Sequence, residues 1–280
     1  MTVCVGIKVR DCIVFAADSA TAAINPTGAV ENIWQHGIKV FNLYRELPIV
    51  GMTAGMGNFG RDSISTLSKD LRLQLMAENS PDSLDKNTYT INDVVQKASN
   101  YFFQKYQQIQ PPPADSSVFS FWIGGYGAND MQGSIWNFSI ANQNLVGPIQ
   151  IATETDDDKV AWGGQGQAIQ RLIFGFDDNL ESHLVAHGAS QQDAQQILVG
   201  LRQGAQTPLV NPTMPVQDAI NLADFLVDVS KQYSKFLPGP TTVGGSTDIA
   251  TVTVHEGFKW INRKHYYPSN LNRLETDHVA

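Results

Sequence analysis

Cysteine is scarce in this chain. Cys4 and Cys12 are the two it holds among 280 residues. They sit eight apart in what read as adjacent strands, so they are expected to behave as small buried hydrophobes rather than as redox or metal ligands. Charge is thin as well, at 16% of residues, and 19 Lys and Arg against 27 Asp and Glu leave a net charge of -8. No stretch gathers Lys and Arg along one face as a phosphate-tracking surface requires, so nucleic acid is not expected as a partner. No apolar run approaches the ~18 residues of a membrane helix, which speaks against a membrane partner. The run from Cys12 to Ala17 is too short for a signal-peptide core and is closed by Asp18. The expected location is the cytoplasm.

Familiar catalytic signatures are missing too. There is no G-x-S-x-G and no P-loop, which removes the commonest serine-hydrolase and NTPase readings. The run Gly163, Gly164, Gln165, Gly166, Gln167 lacks the third glycine of a dinucleotide fingerprint; it reads as a tight turn that lets a helix pack. His183 and His187 have metal-ligand spacing, yet no glutamate follows His183, and Gly188 marks a helix end where a histidine suits the dipole. Asp156, Asp157 and Asp158 are consecutive rather than alternating and read as a solvated turn. No cofactor or metal is expected.

What is present is a globular composition, 42% apolar and 9% aromatic, on a chain long enough for one or two cores. Val3 to Val9 and Cys12 to Ala17, broken by Arg10 and Asp11, read as a β-hairpin. After an irregular segment around Asn25, Pro26 and Gly28, strand-length runs recur at Ile38 to Leu43 and Leu47 to Thr53. A helical pattern extends from Met56 to about Ala77, and a second helix starts near Thr90 with Asp93 three residues on and stops before Pro111, Pro112 and Pro113. Strands follow at Val118 to Ile123, Ser134 to Ile140, Leu145 to Ile151 and Val160 to Trp162. Helices then come at Ala168 to Phe174, Gln191 to Leu201 and Val216 to Phe236, and strands at Asp248 to His255 and Phe258 to Ile261. Segregated runs of this kind favour an α+β fold, a four-layer αββα sandwich of two antiparallel sheets. Residues 1–261 are expected to form that domain and 262–280 a C-terminal tail or an arm on a neighbouring subunit.

One residue offers chemistry of its own. Thr2 directly follows Met1 and opens a buried strand. Removal of Met1 exposes a hydroxyl and a free amine on the same residue. An α-amine of pKa about 7.7–8.0 accepts the hydroxyl proton near neutral pH, so Thr2 would supply nucleophile and base together. The plain alternative is that many chains begin Met-Thr by chance.

Around Thr2 the chain resembles the proteasome β-type subunit family and its bacterial relatives. The subgroup is left open, with the ancestral β-subunit group among the candidates. The opening hairpin ends in Ala17 and Asp18, like the family's Ala-Asp pair. Lys39, in Gly37-Ile38-Lys39-Val40, is similar to the family's catalytic lysine, and Thr53-Ala54-Gly55 resembles the loop after its next strand. Gly163 to Gln167 before a helix, and Gly244-Gly245 before Asp248-Ile249-Ala250, fall where two further landmarks are expected. The resemblance implies an N-terminal nucleophile hydrolase fold and threonine peptidase activity. It implies catalytic roles for Thr2, Asp18 and Lys39, an oxyanion-binding N–H at Gly55, and substrate contacts at Thr53 and Ala54. It further implies a peptide or unfolded protein as substrate, a homo-oligomeric ring and an ATPase unfoldase as partner.

The chain departs from the family in three places. Gln165 stands where the family carries a serine, and Pro240 and Val243 where it carries an aspartate and a serine that support the terminal amine. A two-residue turn pairs Thr2 with Ser19, which leaves Asp18 formally on the opposite face unless a bend brings it in. About five extra residues separate Asp18 from Lys39. A ring or scaffold subunit without activity and an amidase acting on a small molecule remain the alternatives.

Overall fold

The computed structural model describes residues 2–25 and 29–264. Every residue of β1 (Val3–Lys8) and β2 (Ile13–Ala17) is buried, which a strand reaches only with both faces covered. Side chains alternate between those faces. Val3, Val5, Ile7, Val14 and Ala16 join one apolar cluster, while Cys4, Ile13, Phe15 and Ala17 join another. The Val9 N–H donates to the Cys12 carbonyl at 3.0 Å, closing the turn at Arg10 and Asp11. That sets the register Cys4 opposite Ala17 and Ile7 opposite Val14.

β12 (Lys159–Gly164) lies on the free side of β1, and β13 (Asp248–Thr253) followed by β14 (Gly257–Asn262) extends from β2. The resulting order is β12-β1-β2-β13-β14, antiparallel throughout. A second antiparallel sheet runs from β11 (Asn144–Ala152) through β10 (Ser134–Ala141), β9 (Phe119–Gly125) and β6 (Ile49–Gly55) to β5 (Val40–Asn42). The sheets stack on the cluster that holds Phe15, Met52, Trp122 and Ile135. On the outside of the second sheet, α1 (Ile64–Met76) and α2 (Ile91–Gln107) bury a Phe- and Leu-rich cluster. On the outside of the first, α3 (Gln167–Phe174) and α6 (Val216–Lys235) bury the aliphatic one. Three apolar seams join four layers, and the molecule is the expected αββα sandwich.

The second long helix starts where its sequence says. Thr90 Oγ1 accepts the Asp93 N–H at 3.1 Å and the Asp93 carboxylate accepts the Thr90 N–H at 2.9 Å, a reciprocal cap. Other boundaries differ. The helix expected from Met56 begins at Ile64, because Ser63 caps it and a short hairpin of β7 (Asn58–Phe59) and β8 (Asp62–Ser63) precedes it, turning at Gly60 with φ +57°. A ribbon of β3 (Thr21–Ile24) and β4 (Val30–Trp34) flanks the segment expected to be irregular; Asn25 lies in neither strand, and Pro26 and Gly28 lie outside the described residues. Between α3 and α5 (Gln191–Ala205) lies an additional helix, α4 (Asn179–Ala186), which buries no residue and so carries no apolar stripe to reveal it. The Asp156 turn is more than a solvated loop, since its carbonyl and that of Thr153 accept the Nζ of the buried Lys8.

β14 runs to Asn262, and Lys264 beyond it is bonded to Asp248, so the sheet's contacts extend past residue 261. The rest of the expected tail, 265–280, lies outside the described residues. Among those described, no helix is long and apolar enough to cross a membrane.

Phe102 of α2 stands at the centre of the aromatic seam, with ring centroids 4.7 Å from Phe121, 5.1 Å from Phe119, 6.2 Å from Phe138 and 6.3 Å from Phe59. Truncation to alanine removes its packing and leaves a cavity between helix and sheet. Phe102→Ala is expected to lower stability by about 3–5 kcal/mol, read as a lower denaturant midpoint at unchanged slope.

Candidate active site at one end of the sandwich

Neighbouring strands in an antiparallel sheet run in opposite directions, so the start of one meets the finish of the next. Thr2 precedes β1, Asp18 follows β2, Lys39 precedes β5, and Thr53, Ala54 and Gly55 finish β6. At the same end β12 finishes at Gly164, and Gly244 and Gly245 lead into β13. The topology therefore gathers Thr2, Asp18, Lys39, Thr53, Ala54 and Gly55 at one end of the molecule, together with the two glycine turns.

Asp18 organises this end. It is 0% exposed, yet its carboxylate has four donors. Oδ1 accepts from the Val3 N–H at 3.0 Å and from Lys39 Nζ at 2.6 Å, and Oδ2 from the N–H groups of Ala20 at 3.1 Å and Gly244 at 3.0 Å. The bend that the hairpin register demanded is present here. Beyond β2 the Ser19 and Ala20 N–H groups both donate to the Gly244 carbonyl, at 2.8 and 2.9 Å, turning the chain so that the side chain of Asp18 reaches Lys39.

Lys39 is buried and its carbonyl accepts the Thr53 N–H at 2.9 Å. Burial draws its pKa below the ordinary lysine value, and the Asp18 carboxylate acts against that shift. Amides two residues apart on a strand point the same way. Thr53 N–H faces Lys39, so the Gly55 N–H is directed past the last rung of the β5 ladder toward the same end. Gly55 has φ +89°, and a Cβ there would lie 2.0 Å from the Val118 carbonyl, which requires glycine. The Thr53 hydroxyl donates to the Ser120 carbonyl at 3.3 Å. The Ala54 methyl packs between the sheets.

Thr2 is 5% exposed. Its carbonyl accepts the Gln165 N–H at 2.7 Å. Gly164, φ +77°, makes that approach feasible, because a Cβ there would sit 1.8 Å from the Thr2 oxygen. The glycine run is thus a close-approach turn against Thr2. Of the three departing positions, Gln165 lies beside Thr2, Val243 is buried among the aliphatic residues under α6, and Pro240 is exposed. None of the three offers the carboxyl or hydroxyl group expected there.

One neighbour escaped the sequence reading. Lys264 bonds both Ser19 Oγ and the buried Asp248 carboxylate, setting a second ion pair beside the first. No local spacing signals a pair 16 residues apart that meets across a sheet. Cys4 also lies within reach of both charges; burial pushes its thiol up to about 12, which leaves it protonated and unreactive at neutral pH. His187 closes α4, its Nδ1 lying 2.8 Å from the His183 carbonyl. Among the described residues no three His, Cys, Asp or Glu groups come together to hold a metal ion.

Two solved structures share this arrangement of layers. Anbu (ancestral beta-subunit) from Yersinia bercovieri is 15% identical, with a TM-score of 0.54 over 95% of this chain and 89% of that one. The structure titled helical assembly of the Anbu complex, from Pseudomonas aeruginosa, is 16% identical, with a TM-score of 0.56 over 96% and 90%. The fold is that of the N-terminal nucleophile hydrolases. No protein-family model and no curated protein matches the chain. That finding corrects the assignment to the proteasome β-type subunit family read from the sequence, because a likeness at 15–16% identity shows a common fold and not membership.

Lys39→Met would leave the Asp18 carboxylate buried without its counter-charge. It is expected to destabilise the protein by about 3–5 kcal/mol, with the double variant Asp18→Asn/Lys39→Met less destabilised than the sum of the single ones. Chemical denaturation of the three variants checks this. Gly164→Ala is expected to displace Thr2 and to accelerate hydrogen exchange of the Val3–Ile7 amides relative to those of β9.

Proposed function

We propose that the chain is an amide-bond hydrolase of the N-terminal nucleophile type, with Thr2 as nucleophile once residue 1 is removed, acting on peptides or unfolded protein. The observation that carries this reading is the buried Asp18–Lys39 pair at the start of the strand that Thr2 opens. In this mechanism the Thr2 amine takes the Oγ proton as Oγ bonds to the scissile carbonyl carbon. The oxyanion accepts the Gly55 N–H, and the Lys39 ammonium stabilises the developing negative charge and lowers the pKa of the amine. The amine proton passes to the leaving nitrogen, the C–N bond breaks, and an acyl-threonine ester remains. Water, deprotonated by the same amine, cleaves the ester and restores Thr2. Asp18 positions Lys39 and keeps it charged. Self-association into a larger body is part of the proposal and draws support from the helical assembly named for the Pseudomonas structure.

A scaffold subunit without turnover is the second reading. It is favoured by Gln165, Pro240 and Val243, which offer the amine neither the carboxyl nor the hydroxyl support that the family resemblance implied.

The intact mass of the protein expressed with its natural N-terminus, followed by labelling with an electrophile directed at N-terminal threonine, tests both. The hydrolase reading expects loss of Met1 and one adduct mapped to Thr2, formed about 100-fold more slowly in Lys39→Met. Retention of Met1 in folded protein, or processed protein that takes no label, overturns it in favour of the scaffold. Because burial lowers the Lys39 pKa, its proton is lost below the ordinary value of 10.5. The alkaline limb of the labelling rate should accordingly fall below that pH, and the acid limb should follow the Thr2 amine.

A further inference from the structure

A cavity of about 570 Å³ opens on the flank where the edge strands β5 and β14 face α1. Thr2, Asp18 and Lys39 do not line it. Five cations do: Arg45, Lys69, Arg72, Lys259 and Arg263, and among the described residues no carboxylate lines it with them. In a chain with 19 Lys and Arg and a net charge of -8, this is a strong local inversion of sign. Like charges gathered around a concavity raise each other's energy and focus a positive potential into it, which an anion relieves. Among the described residues, Arg45, Lys69 and Lys259 pair with no carboxylate.

A second observation is independent of charge. Ser68, on the inward face of α1, lines the cavity and is 1% exposed, and its Oγ has no hydrogen-bond partner among the described residues. A buried hydroxyl is ordinarily satisfied; this one is left with an unused donor at the cavity wall. Asn42 and Ser65 add further polar groups to the lining, and the remainder is aliphatic and aromatic. Phe41, Phe258 and Trp260 contribute to it, Phe258 and Trp260 meet edge to face at 5.2 Å, and the Arg263 guanidinium lies 4.9 Å from the Trp260 ring. A volume in the range of small-ligand sites, an aromatic wall and convergent donors together describe a binding pocket.

We infer that this cavity binds a small organic polyanion, an apolar or aromatic body carrying phosphate or carboxylate groups. The body lies against Trp260 and Phe258, the anionic groups meet the Arg and Lys side chains, and one acidic oxygen accepts the Ser68 hydroxyl. Ile38 and Val40, the chain neighbours of Lys39, also line the cavity, so an occupant touches the segment that carries that lysine. The inference rests on the cavity alone and stands whether or not Thr2 is reactive.

Calorimetric titration of the full chain with 1-naphthyl phosphate, naphthalene-1,4-dicarboxylate and inorganic pyrophosphate, at about physiological ionic strength, tests it. At least one naphthalene anion is expected to bind saturably, one per chain, and the tighter of the two identifies the acidic group. Affinity should fall about tenfold or more in Arg45→Gln/Lys259→Gln and a few-fold in Ser68→Ala, and remain unchanged in Lys86→Gln, a surface lysine outside the cavity. Arg45, Lys69 and Lys259 are exposed, so the charge variants should keep the wild-type melting temperature, and Lys69→Gln serves as a second charge variant. Absence of saturable binding by either naphthalene anion up to millimolar concentration, binding by pyrophosphate alone, or equal loss in Lys86→Gln overturns the proposal.

Discussion

A carboxylate with no solvent contact is tolerated only where donors replace the water it has lost. Asp18 has four, from the start of β1, from its own bend, from the approach to β13 and from Lys39 ahead of β5. Three donors are backbone amides, fixed by the strands on either side of them. The fourth is an ammonium that reaches across from the opposite sheet. One buried charge therefore ties both sheets together at the end where the apolar seam between them runs out. The neighbouring pair of Asp248 with Lys264 brings the chain beyond β14 into the same network, through Ser19.

The layers were legible because burial on both faces leaves an unmistakable trace. β1 and β2 are continuous apolar runs around a two-residue turn, and the turn alone dictates the pairing of Cys4 with Ala17, as the structure has it. Thr90 and Asp93 announced a helix start through a local hydrogen-bond exchange. The elements that escaped notice lack such a trace. α4 buries nothing, β3 and β4 form a two-stranded ribbon outside the main sheets, and the start of α1 was obscured by a two-residue hairpin whose apolar content blends into the helical pattern. For the candidate site, single residues were visible and their connections were not. The turn length required a bend at Asp18 without saying what would make it, and the answer is a glycine carbonyl 226 residues away.

The likeness to the Anbu structures has the same physical basis. Alternation, turn length and three apolar seams can be met by many sequences, so a sandwich persists at 15–16% identity while individual side chains change. The glycines behave differently from the core. Gly55 and Gly164 are fixed by carbonyl oxygens that leave no room for a Cβ, and that requirement is backbone geometry, independent of which side chains fill the seams.

The four outer strands also bear on how copies of the molecule can meet. β5 is three residues long, β12 and β14 carry Lys159 and Lys259, and β11 contains Pro148, which has no N–H to offer, beside irregular pairing with β10. Shortness, charge, proline and bulges are the devices that keep a sheet from adding another strand. Growth by continuous hydrogen bonding from one copy to the next is therefore discouraged on all four flanks. For the described residues that leaves helices, ribbon and loops as the favoured surfaces for joining copies, which makes the shape of a larger body a matter of surface chemistry more than of main-sheet extension.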